Sequence, residues 1–180
     1  MGGKTQSHIR ARCQTKQNKG RYKYSFDASS FDQTLPAFVM GLFFFSIKVL
    51  FACNKFTQKR IHMLMRYELT AGYFHKSFRH IRRRIGGLLS GSGFTNQIGT
   101  FCSLFMAITT LLCMGFSIEQ IRKKFDFMVT GDDLVIFSDV ELDFDSFIQL
   151  SSENFGIVYT MNTEIIGTPD NDVFEFAGST

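Results

Sequence analysis

With 180 residues, 44% of them hydrophobic, the chain can fold as one domain around a packed core. The first 25 residues are basic and polar, unlike a secretory signal. The four cysteines (Cys13, Cys53, Cys102, Cys113) form no CxxC pair, which argues against a disulfide framework or a zinc site. The net charge of +4 conceals segregation: residues 1–124 hold all 20 Lys and Arg against four acids, while residues 125–180 hold the other 12 acids and no Lys or Arg. A basic part suits a polyanion and an acidic cluster suits divalent cations, although two solvated surfaces of opposite sign would give the same pattern.

Residues 1–21 lack hydrophobic periodicity and read as a basic N-terminal arm. Tyr22, Tyr24 and Phe26 then alternate with Lys23, Ser25 and Asp27, which predicts a strand with its aromatic side on a core and Asp27 on the other face. Pro36 suits the first turn of a helix running to about residue 53. A second helix is expected over 57–69, with Ile61, Leu64 and Met65 as its apolar stripe. Residues 70–86 mix aromatics with Lys76, Arg79, Arg82, Arg83 and Arg84 and predict an exposed extended segment or hairpin. The run GGLLSGSG at 86–93 is a loop whose glycines permit backbone shapes closed to other residues. A long uncharged helix follows, ending near Gly115, and Ser117 with Gln120 makes a capping box for a short helix through Lys124.

The segment FDFMVTGDDLVIF (125–137) predicts strand, tight turn and strand, with the turn at Gly131-Asp132-Asp133. A helix over about 145–154 and a strand over about 157–163 complete the order. The expected fold class is α+β, a small antiparallel sheet with helices on one face. The apolar stretches 37–53 and 101–116 are shorter than the roughly 20 residues that span a bilayer, so both read as buried core helices without membrane insertion.

Three constellations carry chemistry. Asp132 and Asp133 are adjacent carboxylates in a tight turn, where they repel one another and gain no burial. Binding Mg²⁺ would account for them, since this hard cation prefers carboxylate and phosphate oxygens; an ordinary Asp-rich hairpin turn is the plain alternative. FDASSFDQT (26–34) places Asp27 at a strand end, where it could supply the further carboxylate of a two-metal site. Asp32 lies five residues on, within reach of a sugar hydroxyl, or else serves as a helix cap or solvated turn acid. SGSGFTN (90–96) offers hydroxyls and the Asn96 amide to ribose and template groups; a glycine loop before a helix could instead hold a free nucleotide's phosphates. It lacks the spacing of a Walker loop or of GxGxxG.

In chain order, Asp-x4-Asp, Ser-Gly-x3-Thr-Asn and Gly-Asp-Asp resemble motifs A, B and C of viral RNA-dependent RNA polymerases. The wording FDQT with SGSGFTN looks most like the partitivirus and picobirnavirus type of double-stranded RNA virus. The resemblance implies a polymerase palm with an RRM-like core over 22–180, with motif A at 26–34, B at 86–100, C at 129–135 and D at about 145–165. A partial motif E falls at 174–179. It implies Asp27 and Asp132 as principal ligands of Mg²⁺ (or Mn²⁺), with Asp133 weaker. Asp32 and Asn96 would test the ribose 2′-hydroxyl, and Ser90, Gly91 and Thr95 would position template and incoming nucleotide. The partners implied are an RNA template with its primer or product strand and NTPs, in the host cytoplasm, within a virion or a replication complex.

The sequence departs from the family in places. Gly99 stands where many relatives have Asn, Ile165 where motif D carries Lys, and EFAGS (175–179) matches motif E loosely. The family's fingers and thumb would flank these motifs, so the expectation is a palm fragment or one half of a divided polymerase, without processive synthesis on its own. RHIRRR (79–84) would contact template phosphates or form the solvated surface of a hairpin. Other readings are a cyclase or reverse-transcriptase palm, a non-enzymatic RNA-binding relic, and a membrane-associated replication protein.

Overall fold

A computed structural model of the chain describes residues 21–70, 72–74, 81–83, 86–89 and 91–166, with backbone only for 72–74, 81–83 and 161–166. The basic arm before residue 21, the motif E segment, Ser90, Arg79 and Arg84 lie outside the described residues. Arg82 and Arg83 are placed as strand positions only.

The alternating run forms strand β1 (Tyr22–Ala28) as expected. A one-turn helix, α1 (Phe31–Thr34), then follows a left-handed Ser30 at φ 53, and Asp32 sits in its first turn rather than in an open turn. Pro36 precedes α2 (Ala37–Leu50) as its N-cap, so the helix starts and stops slightly inside the expected span. Helix α3 (Lys55–Thr70) is capped by Asn54, whose Oδ1 accepts the Thr57 N–H at 2.9 Å. The basic segment contributes β2 (Gly72–Phe74) and β3 (Ile81–Arg83), paired antiparallel with Tyr73 opposite Arg82. The long uncharged helix is α4 (Thr95–Cys113), followed by Gly115 at φ +94. The reciprocal capping box of Ser117 and Gln120 starts α5 (Ile118–Lys124). The acidic third supplies β4 (Phe125–Thr130), β5 (Asp133–Ser138), α6 (Phe144–Phe155) and β6 (Tyr159–Ile166).

The four long strands make one antiparallel sheet in the order β4-β5-β1-β6. Strand, helices, two strands, helix, strand, with the first and third strands at the centre, is the split βαβ arrangement of RRM-like domains. The fold is therefore the α+β arrangement that the element order implied, and it is consistent with the palm that the motif resemblance implied. Tyr24, Phe26, Leu134 and Ile136 share one core with Ile98, Cys102 and Met106 of α4 and Phe147 of α6. The Phe26 and Phe147 rings lie 4.9 Å apart. Lys23, Ser25, Val135 and Phe137, on the opposite face, are buried too, so that face is not open to water along its middle. Helix α4 is long and apolar enough to cross a membrane by length and composition, with a mean hydropathy of 1.4. Ile98, Cys102, Met106, Ala107 and Leu111 of this helix are buried in the protein core, and 44% of its apolar window is buried.

Candidate active site

The β4–β5 hairpin closes through two residues, because Thr130 still pairs with Asp133. Gly131 at φ +63 takes the first central position and Asp132 the second, a backbone matching a type II′ hairpin turn, where glycine meets no Cβ penalty. Asp132 is consequently exposed at the tip, and Asp133 is the first residue of the return strand rather than part of the turn.

This tip forms one wall of a cavity of about 750 Å³. Ala28, Ser30, Asp32 and Gln33, at the end of β1 and on α1, form the second wall. Gly91, Ser92, Gly93, Thr95 and Asn96, from the loop and first turn of α4, form the third. Three segments far apart in sequence thus face one space, and three carboxylates (Asp32, Asp132, Asp133) line it without a Lys or Arg among the described lining residues.

Asp27 is exposed on β1 and does not line the cavity itself. The β1–β5 register runs from Tyr22↔Ser138 to Phe26↔Leu134, and Asp27 and Asp133 are the next residues beyond its last pair. Among the described residues, no three His, Cys, Asp or Glu side chains cluster tightly enough to cage an ion. Mg²⁺ does not require such a cage, since it keeps several waters and takes one or two carboxylates together with substrate phosphate. Oxygen-only donors at the mouth of a nucleotide-sized cavity fit that chemistry.

The glycine loop is sewn to the second wall through its backbone. Gly87 N–H donates to Leu35 O at 2.9 Å and Leu88 N–H to Asp32 O at 2.6 Å. Thr95 spends its hydroxyl proton inside the loop, on Leu89 O at 2.6 Å and Ser92 O at 2.9 Å, so it shapes the loop rather than offering that proton to a ligand. Neither Gly91 nor Gly93 has a neighbour within 4 Å of where a Cβ would stand, leaving open space beside the backbone.

Several residues the sequence reading did not single out prove central. Glu68, the lone acid on basic helix α3, is 1% exposed; its Oε1 accepts the Ser92 hydroxyl at 2.7 Å and its Oε2 has no partner among the described residues. Its isolation among cations was the only signal in the sequence. Thr100 Oγ1 accepts the Gly131 N–H at 2.9 Å, and Ser103 donates to Gly131 O at 2.7 Å. A Cβ on Gly99 would stand 3.2 Å from Gly131 Cα, so glycine at this position lets α4 touch the turn. The residue that departs from the family pattern therefore has a local reason to be small.

With this geometry in view, the comparison with known families is direct. The chain matches, over residues 3–176, the family model described as viral RNA-dependent RNA polymerase. No curated protein matches the chain.

Proposed function

The chain belongs to the viral RNA-dependent RNA polymerases, and on that premise we propose that its three-walled cavity is where a nucleoside triphosphate joins an RNA 3′-hydroxyl opposite a template base. The observation that supports this most is the convergence of Asp32, Asn96, Asp132 and Asp133 on one space from three separate segments.

In this reading Asp27 and Asp132 are the principal ligands for divalent cations, and Asp133 supports them from the start of β5. Bound there, Mg²⁺ or Mn²⁺ supplies two effects, a lower pKa for the attacking hydroxyl and charge neutralisation on the leaving phosphate. The protein's own contribution is positioning. The Asp32 carboxylate accepts from the ribose 2′-hydroxyl while the Asn96 amide nitrogen donates to it, a pairing that a deoxyribose cannot complete. Gly91 and Gly93 give a nucleic-acid backbone room to approach, Thr95 fixes the path of the loop around it, and Ser90 positions template and incoming nucleotide. Arg79, Arg82, Arg83 and Arg84 hold template phosphates, a contact that weakens with added salt. RNA strands and NTPs are the partners, and a viral replication complex in the host cytoplasm is the setting.

The test is single-nucleotide addition to an RNA primer–template in Mg²⁺ by the polymerase carrying this chain. Changing the templating base from U to C should switch the incorporated nucleotide from A to G. Addition indifferent to the template would remove the polymerase reading in favour of untemplated transfer.

A further inference from the structure

We propose that Thr100 and Ser103 are positioning residues that clamp the turn bearing Asp132, and that Thr100 also couples this turn to the sugar-contacting amide of Asn96. The inference rests on the polymerase reading of the cavity and deepens it.

The tip of a two-residue hairpin is ordinarily held only by its own ladder. Here both backbone polar groups of Gly131, the residue before Asp132, are bonded to side chains of one helix. Thr100 accepts its N–H and Ser103 donates to its C=O. The two hydroxyls lie three positions apart, so they share a face of α4, and Gly99 on the same turn of helix lets that face close on the hairpin. Fixing the Gly131 peptide from both sides fixes the direction in which the chain enters Asp132.

Two hydroxyls further along α4 take the local option. Thr109 donates to Phe105 O at 2.8 Å and Thr110 to Met106 O at 2.9 Å, each bonding back to its own helix, with Thr110 also 3.1 Å from the Ser151 hydroxyl of α6. Ser103, at 0% exposure, gives up that local option and reaches across to the turn.

Thr100 makes a second connection. With its oxygen already accepting from Gly131, its single proton is left for Asn96 Oδ1, at 3.4 Å. Engaging the amide oxygen leaves the Asn96 Nδ2 as the group presented to a ligand. A ribose 2′-hydroxyl bonded to that nitrogen is thereby linked, through one hydroxyl, to the turn that carries the metal ligand.

The two residues should separate in one experiment. Mn²⁺ binding to the chain is measured by electron paramagnetic resonance, and ATP and 2′-deoxy-ATP affinities are measured at saturating Mn²⁺. Thr100→Val and Ser103→Ala should each weaken Mn²⁺ binding about tenfold, as loss of a ligand's supporting hydrogen bond does elsewhere. Only Thr100→Val should also shrink the preference for ATP over 2′-deoxy-ATP, by about fivefold, one hydrogen bond's worth. Thr100→Ser, which keeps the hydroxyl, should restore both. Thr110→Val, which removes a buried hydroxyl on the same helix away from the turn, should lower the melting temperature without moving either ratio. If the wild-type chain binds Mn²⁺ and prefers ATP but Thr100→Val keeps both values, the clamp is wrong while the site reading stands. If the wild type shows no Mn²⁺ binding that depends on Asp132, both fall together.

Discussion

Gly41 and Gly99 are both interior glycines of apolar helices, and replacing each with alanine isolates the contact between α4 and the turn. In a helix interior, alanine is favoured over glycine by about 1 kcal/mol. At Gly41 a new Cβ meets nothing within 4 Å, so Gly41→Ala should realise that gain, up to about 1 kcal/mol. At Gly99 the new Cβ would lie 3.2 Å from Gly131 Cα and 3.5 Å from its carbonyl carbon. Carbon atoms prefer about 3.5–4.0 Å, so the nearest contact is short by about 0.3–0.8 Å, and the atom in the way is backbone that cannot rotate aside. Overpacking of this kind costs about 1–3 kcal/mol, which leaves Gly99→Ala neutral to about 2 kcal/mol destabilised. The relief must come from moving the turn, and a displacement of about 1 Å at a reacting centre can cost about 100-fold in rate. Urea unfolding of the two variants, with nucleotide addition measured alongside, reads both effects. Equal stabilisation by Gly99→Ala and Gly41→Ala, with addition unchanged, would refute the contact.

Ser92→Ala should lower unfolding stability by about 1.5–3 kcal/mol in urea titrations, because it strips from the buried Glu68 side chain the one hydrogen bond it has among the described residues; an unchanged midpoint would mean that water reaches Glu68. Burial pushes the Cys102 thiol up to about 12 from 9.0, so iodoacetamide at pH 8 should label exposed Cys113 and spare Cys102 until the chain unfolds, as peptide mass spectrometry would show. The unfolded thiol ionises near 9.0 while the folded one keeps its proton, so stability should fall as pH rises from about 9 toward 12. At the start of α6, the Ser146 side chain and backbone N–H hold the Asp143 carboxyl below its usual 3.8. Its stabilising contribution is present above that value and is lost as pH falls through it toward the lower folded value, so Asp143→Asn should flatten the acid limb of the melting temperature against pH.

The elements built from periodicity could be read directly from the sequence. Tyr22, Tyr24 and Phe26 mark β1, Ile61, Leu64 and Met65 mark the inner stripe of α3, and Ser117 with Gln120 announces α5, because each signal is local. Helix α1 was not legible, since its start depends on Ser30 accepting a left-handed backbone, which serine rarely does. Asp32 and Asp132 were identified by residue type and spacing, and the cavity brings them together. The relation of Asp27 to Asp133 emerges only from strand register. Thr100 and Ser103 were invisible for a related reason: a hydroxyl on an apolar helix looks the same whether it bonds its own carbonyl or a turn 31 or 28 residues away. Gly99 registered in the sequence only as a departure from the family, and the structure supplies its cause, the backbone of Gly131.

The central claim is that Asp132 at the hairpin tip holds the metal for nucleotide transfer. Single-nucleotide addition at saturating Mg²⁺ by the polymerase carrying this chain tests it, comparing Asp132→Ala with Asp139→Asn, an exposed acid beyond the far end of β5. The account predicts a loss of more than about 100-fold for Asp132→Ala, since a catalytic metal supplies several kcal/mol of charge stabilisation, and near wild-type addition for Asp139→Asn. Addition by Asp132→Ala within a few-fold of wild type would contradict it.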